Sequence, residues 1–215
     1  PEALRERMVG ADGRQLITIL PAEDITEFSA LQRFIEQVRA ELPSVTGRPM
    51  TEYGVGVIVV EAFQQALLLA IGAISLVLWL TLRRLRDMLL VYVPLALTLV
   101  FTFATAVLLG EGLNMANIIV LPLVFGLGVD NGIHVIKRFR EEAASFGALM
   151  DSSTPRAIAL SALTTLGTFG TLMLSPHQGM YSIGLLLTLA ISYQLLFTLL
   201  VLPLILAWLN HRRLV

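Results

Sequence analysis

Asp130, Asn131 and His134 are the residues of this chain whose types and spacing could do chemistry, and they stand in an otherwise apolar run. A carboxylate at the centre of a membrane span costs about 2.5–3.5 kcal/mol on insertion scales. At about 1.5 Å of rise per residue, Asp130 lies about 9 Å from the end of its run at Ile136. Its short side chain cannot reach the interface from there, so a polar partner, a water-filled cavity or protonation must offset the cost. Removal from water favours the neutral form of a carboxyl group. The expected chemistry is therefore proton uptake and release, with a structural polar knot between helices as the competing reading. His134 follows at i+4 on the same helix face. It either relays protons to and from Asp130 or only marks the polar edge before Lys137. Asn131 points about 100° away around the helix, toward a neighbouring helix or water.

Small and hydroxylated residues surround this group. Gly126, Gly128 and Gly132 flank Asp130, and the Gly128-x-x-x-Gly132 spacing lets a neighbouring helix approach closely. A later apolar run carries Ser161, Thr164, Thr165, Thr168 and Thr171. Its hydroxyls either bond back to carbonyls of their own helix or meet Asp130 as polar partners. Asp130 and His134 make at most two metal ligands with no third in view, so no metal is expected. The glycine-flanked aspartate differs from the pattern of intramembrane aspartyl proteases, which need a second intramembrane aspartate. No P-loop, dinucleotide fingerprint or Ser-His-Asp array is present, and no cofactor is expected.

The elements that must position these residues are set by composition. The chain has 215 residues, 56% of them hydrophobic and 14% charged, and a net charge of −1. That excess of apolar residues needs an apolar solvent. The charge balance gives no reason to expect nucleic acid, and the absence of cysteine excludes disulfides and thiolate chemistry. The chain starts at Pro1, and we expect it to be a piece of a longer protein.

Residues 1–54 are polar. Residues 15–20 (QLITIL) read as a strand. A capping box at 24–27 precedes a helix over about 25–42, with Phe28, Leu31, Ile35, Val38 and Leu42 on one face. Residues 45–50 read as a second strand. The expectation is a small α/β remnant, the end of a larger extramembrane domain. Residues 55–210 are expected to form the transmembrane domain, with helices over about 57–82, 88–109, 115–136, 157–174 and 180–209, and 211–215 a cytoplasmic tail. The fold class is thus mostly α, a five-helix membrane bundle preceded by that remnant. Arg83, Arg84, Arg86, Lys137, Arg138, Arg140, Arg156, Arg212 and Arg213 all fall on one side of it. The positive-inside rule makes that side cytoplasmic and residues 1–54 external, hence periplasmic in a cell with an inner membrane. Residues 137–146 (KRFREEAASF) read as a basic-acidic surface helix, a solvated or interface-lying connector.

The run from Asn114 to His134 (NMANIIVLPLVFGLGVDNGIH) resembles the proton-coupling helix of RND-superfamily transporters, nearest to MMPL-type exporters, which include hopanoid transporters. Residues 161–170 (SALTTLGTFG) resemble the following helix in that family. The resemblance implies two repeats of six helices, each with an external domain, and this chain looks like the last five helices of the C-terminal repeat. It further implies proton-driven export of lipid or other hydrophobic molecules by a secondary transporter, not an enzyme. Asp130 would be the protonatable residue, the other repeat its missing partner, and a homo-oligomer a possible assembly. Asn131 departs from the Tyr that follows the Asp in many members. A sterol-sensing-type lipid regulator and a protein-translocation accessory of the same superfamily remain open as alternatives.

Overall fold

The computed structural model describes residues 8, 13, 15–25, 28–114, 116–143 and 145–211. The capping-box residues Thr26 and Glu27, and Arg212 and Arg213, lie outside them. The chain forms two compact units, residues 1–58 and 59–215.

In the first unit, α1 (Phe28–Glu41) buries Leu31 and Ile35. The α/β remnant expected over residues 1–54 is not there: no strand occurs among the described residues. Residues 16–21 have no regular structure, and residue 15 makes only an isolated bridge. A strand needs a partner for its backbone groups, and a second strand to supply one does not form. The second expected strand, 45–50, runs instead into helix α2 (Arg48–Leu82). Pro49 falls in the first turn of that helix, where its missing N–H is no loss. Arg48 Nε donates to Glu52 Oε1 at 2.6 Å, one turn on. A proline that looks like a strand breaker is here a helix starter.

Among the described residues of the second unit, the regular structure is all helical. After α2 come α3 (Leu85–Leu108), α4 (Val120–Arg138), α5 (Phe146–Asp151), α6 (Ser153–Gly170), α7 (Gln178–Leu196) and α8 (Leu202–His211). Tight 3-10 turns lead into α4 at Asn117–Ile119 and extend α6 at Thr171–Leu174. A wide π turn, Phe197–Val201, joins α7 to α8. It lies where the ring of Pro203 would clash with the carbonyl one turn earlier, and the widened turn absorbs that clash. Five of the helical segments are long and apolar enough to cross a membrane: Arg48–Leu82, Leu85–Leu108, Asn117–Glu141, Ser153–Leu174 and Gln178–His211. The first and last exceed the roughly 20 residues a bilayer needs. Leu68, Leu69, Leu108 and Leu174 project outward, as lipid-facing side chains do.

The interior has two apolar storeys. One contains Leu78, Val91, Val135, Ile136, Leu149, Leu202 and Leu206. The other contains Ala106, Val120, Val124, Ala162, Leu186, Leu187 and Ala190. Polar ties fasten the ends. Asn114 Oδ1 accepts from the N–H groups of Ala116 and Asn117 at 2.9 Å, and Asn117 Nδ2 donates to Ser182 Oγ at 2.9 Å. At the other end, Arg140 forms an ion pair with the fully buried Asp87. This ion pair anchors the connector, and helix α5 buries Leu149 completely.

Two glycines set the closest approach of α4 to its neighbours. A Cβ on Gly128 would overlap the side chains of Leu95 and Gln194, and one on Gly132 would come within 2.8 Å of Val91 Cγ1. A Cβ on Gly126 would meet nothing within 4 Å. Gly128→Ala and Gly132→Ala should each destabilise the protein by about 1–3 kcal/mol through overpacking. Gly126→Ala should be neutral or raise stability by up to about 1 kcal/mol through helix propensity. Melting of the three purified variants in one detergent tests this order.

Candidate proton-coupling site

Helix α4 has two opposed faces. Val124, Gly128, Gly132 and Val135 are buried. Asp130 is two residues from each glycine, a rotation of about 200°, so it points the other way. Its side chain is 75% exposed within this chain, on a stripe with Leu123, Leu127 and His134. Gly126, one turn before Asp130, shares that outward face. The three glycines flanking Asp130 thus separate into a packing pair, Gly128 and Gly132, and an open groove position, Gly126.

His134 Nε2 lies 3.4 Å from Asp130 Oδ1, so the two ionisable groups form one pair along the stripe. Asp130 also borders two clefts. The first, about 280 Å³, is lined by Asp130 and Asn131 of α4, Ser161 and Thr165 of α6, and Gln194 of α7. The second, about 270 Å³, lies between α2 and α4 and is lined by Ala73, Ile74, Val77, Gly126 and Asp130. Asn131 is partly buried on the wall of the first cleft.

The hydroxyls of α6 bond to their own helix. Thr164 and Thr165 both donate to the Ser161 carbonyl at 2.8 Å, Thr168 donates to Thr164 O at 3.0 Å, and Thr171 donates to Thr168 O at 2.7 Å. None of these bonds reaches Asp130. Their oxygens keep lone pairs that can still accept. Thr164 and Thr168 are exposed, like Asp130, while Ser161 and Thr165 border the cleft they share with it.

The residue that sequence reasoning missed is Gln194. It is 5% exposed and links three helical segments. Its Oε1 accepts from Thr98 Oγ1 at 2.9 Å, while Nε2 donates to Thr198 Oγ1 at 2.7 Å and to the Gly128 carbonyl at 3.3 Å. The amide reaches that carbonyl because Gly128 has no side chain in the way. An amide amid the apolar run of α7 was the available signal. This knot lies behind Asp130 and at the edge of its cleft, so the packing face and the ionisable face of α4 meet one another at Gln194.

Residues 6–215 match the MMPL family. The chain belongs to that family. It is similar to the hopanoid transporter HpnN of Rhodopseudomonas palustris (strain TIE-1), with 39% identity over 180 residues, covering 84% of this chain and 20% of that protein. It is likewise 36% identical over 200 residues to the hopanoid transporter HpnN of Burkholderia multivorans (strain ATCC 17616 / 249), covering 91% of this chain and 22% of that protein. The chain therefore spans about a fifth of the length of these relatives. Within this MMPL chain, the glycine-flanked Asp130 lies on α4.

If Gln194 ties α3 to α7, a double-mutant cycle between Thr98→Val and Gln194→Leu should give a coupling of about 0.6 kcal/mol, and at most about 1.7 kcal/mol. Reversible unfolding in mixed micelles measures it. A coupling of zero would mean that the hydrogen bond adds nothing to the helix contact.

Proposed function

We propose that this chain is the membrane-embedded coupling half of a secondary transporter that exports lipid or other hydrophobic molecules across the inner membrane, driven by the proton gradient. In this reading Asp130 binds the proton, with His134 as its neighbour on the proton path and Asn131 and Ser161 lining the approach. The observation that carries the proposal is the outward stripe of Asp130 and His134 on a membrane-length helix of an MMPL chain. A carboxylate facing hydrocarbon is costly, so a function and a covering partner both have to account for it. The partner proposed is the other repeat of the same protein, laid against the stripe.

Protonation then acts on the cover rather than on the glycine contacts. Neutral Asp130 tolerates a dry contact with the partner repeat, whereas charged Asp130 favours water or a cation in the adjoining clefts. Each pKa unit of difference between two packings biases their equilibrium by about 1.4 kcal/mol. In the orientation proposed, the arginine-bearing ends of the helices face the cytoplasm, and residues 1–54 belong to a periplasmic domain that handles substrate. A hopanoid-like lipid is the substrate class that the similar transporters suggest.

The test uses the full-length protein reconstituted in liposomes with an imposed pH gradient and a hopanoid as cargo. Asp130→Asn should abolish gradient-driven movement while leaving the melting temperature within a few degrees of wild type. His134→Ala should slow transport less. A well-folded Asp130→Asn protein that transports at the wild-type rate would overturn the proposal. Lipid binding by the wild type with no gradient-driven movement would point to a sensor instead.

A further inference from the structure

The outward faces of α2 and α8 change character in the same order toward the arginine-bearing end. On α2, Leu69 and Leu76 project outward, then Trp79 at 58% exposure, and Arg83 follows the helix. On the π turn and α8, Leu200 and Leu204 project outward, then Trp208 at 54%, each one turn after the last. These are the two tryptophans of the chain. Each stands three residues before the end of its helix, Leu82 or His211.

Leucine, tryptophan, arginine is the order of polarity met on leaving hydrocarbon for water. An indole has an apolar body and an N–H, and it is enriched where a bilayer's headgroups begin. Length agrees with this frame. Residues 62–82 carry no charge, and Glu61 stands eighteen residues before Trp79. That is about 27 Å along a helix, against about 30 Å for the hydrocarbon core. The helices also end at a common level: Arg84 and Arg86 after α2, Arg140 after α4, and Leu209 beside Trp208 all line one cleft.

Asp130 can be placed against the indoles through its neighbours. Val91 packs on Gly132 and Leu95 on Gly128, so α3 and α4 run antiparallel with Tyr92 level with Asn131. The Ser75 and Tyr92 hydroxyls are hydrogen-bonded at 2.7 Å, which puts Ser75 at that level too. Trp79 is four residues beyond Ser75, about 6 Å nearer the arginine-bearing end. His134, three residues beyond Asn131 on a helix running the same way, reaches nearly the depth of Trp79.

We propose that the rim carrying Trp79 and Trp208 is the surface by which this bundle meets the headgroup layer of the bilayer. At that seating His134 lies at headgroup level and Asp130 about one turn inside the hydrocarbon, so the pair bridges the two. The placement stands whether or not Asp130 carries a transported proton.

The full-length protein, in a background without other reactive thiols, is reconstituted in phosphatidylethanolamine–phosphatidylglycerol bilayers. One nitroxide at a time is attached to a cysteine replacing Glu61, Leu69, Leu76, Trp79 or Trp208. All five positions are exposed, so the variants should fold, and unchanged melting curves confirm it. Collisions with oxygen, set against those with a water-soluble nickel chelate, read the depth of each label. Labels at 79 and 208 should report the headgroup layer, and the label at 76 an intermediate depth. The label at 69 should be deepest, with an oxygen-to-chelate ratio several-fold above that at 79, and the label at 61 should return to headgroup level. A ratio at 79 or 208 as high as at 69 would overturn the proposal. So would exclusion of both reagents at 79 and 208, because the remainder of the protein would then cover the indoles in place of lipid.

Discussion

The close approach of α4 to α3 and α7 governs the rest of this bundle. Gly128 and Gly132 admit Leu95, Gln194 and Val91 to positions that any Cβ would occupy. In lipid there is little hydrophobic gain in pressing one apolar helix against another, so association depends on contact distance and on internal hydrogen bonds. Once the glycine face is turned inward, the helical repeat sends Asp130 to the opposite side. Packing and ionisation are thus assigned to different faces of one helix by a spacing of two residues.

Hydrogen-bond satisfaction accounts for most of the other polar groups. The threonines of α6 bond to carbonyls of their own helix, Gln194 closes a knot with Thr98, Thr198 and Gly128, and Asn114 and Asn117 lock the turn before α4. Each is a polar group made compatible with hydrocarbon. Against this background, two features stand out. The Asp130–His134 pair is exposed on a membrane helix, and Asp87 Oδ2, like the Thr102 and Thr188 hydroxyls, is buried with no hydrogen-bond partner among the described residues. The first belongs to the face where a covering partner is proposed, and the second lies beside the ion pair of Arg140 with Asp87.

Much of the architecture was readable from residue types. Uninterrupted apolar runs of helix length, separated by arginine-rich turns on one side, lead directly to five membrane-length helices because lipid leaves the backbone no other open-ended choice. The polar N-terminal segment was harder. Short β-like runs such as residues 15–20 are ambiguous without a partner strand, and Pro49 serves a helix start as readily as it breaks a strand. The threonines of α6 could be placed on a helix, but whether they turn to their own carbonyls or to a neighbour depends on which helix lies opposite.

By itself, the sequence determined that the chain has five membrane-length apolar runs, that the basic residues after residue 56 fall in alternate connections between them or after the last, and that an aspartate and a histidine one turn apart stand in an apolar helix. Those are properties of composition and of the helical period, and they survive any arrangement of the helices. Only the tertiary structure decided that Gly128 and Gly132 face inward while Asp130 faces out. It also decided that Gln194 is the central hydrogen-bonding amide and that Arg140 pairs with Asp87. These depend on contacts between residues far apart in the chain, such as positions 98 and 194 or 87 and 140, whose meeting is set by how helices pack and not by local sequence.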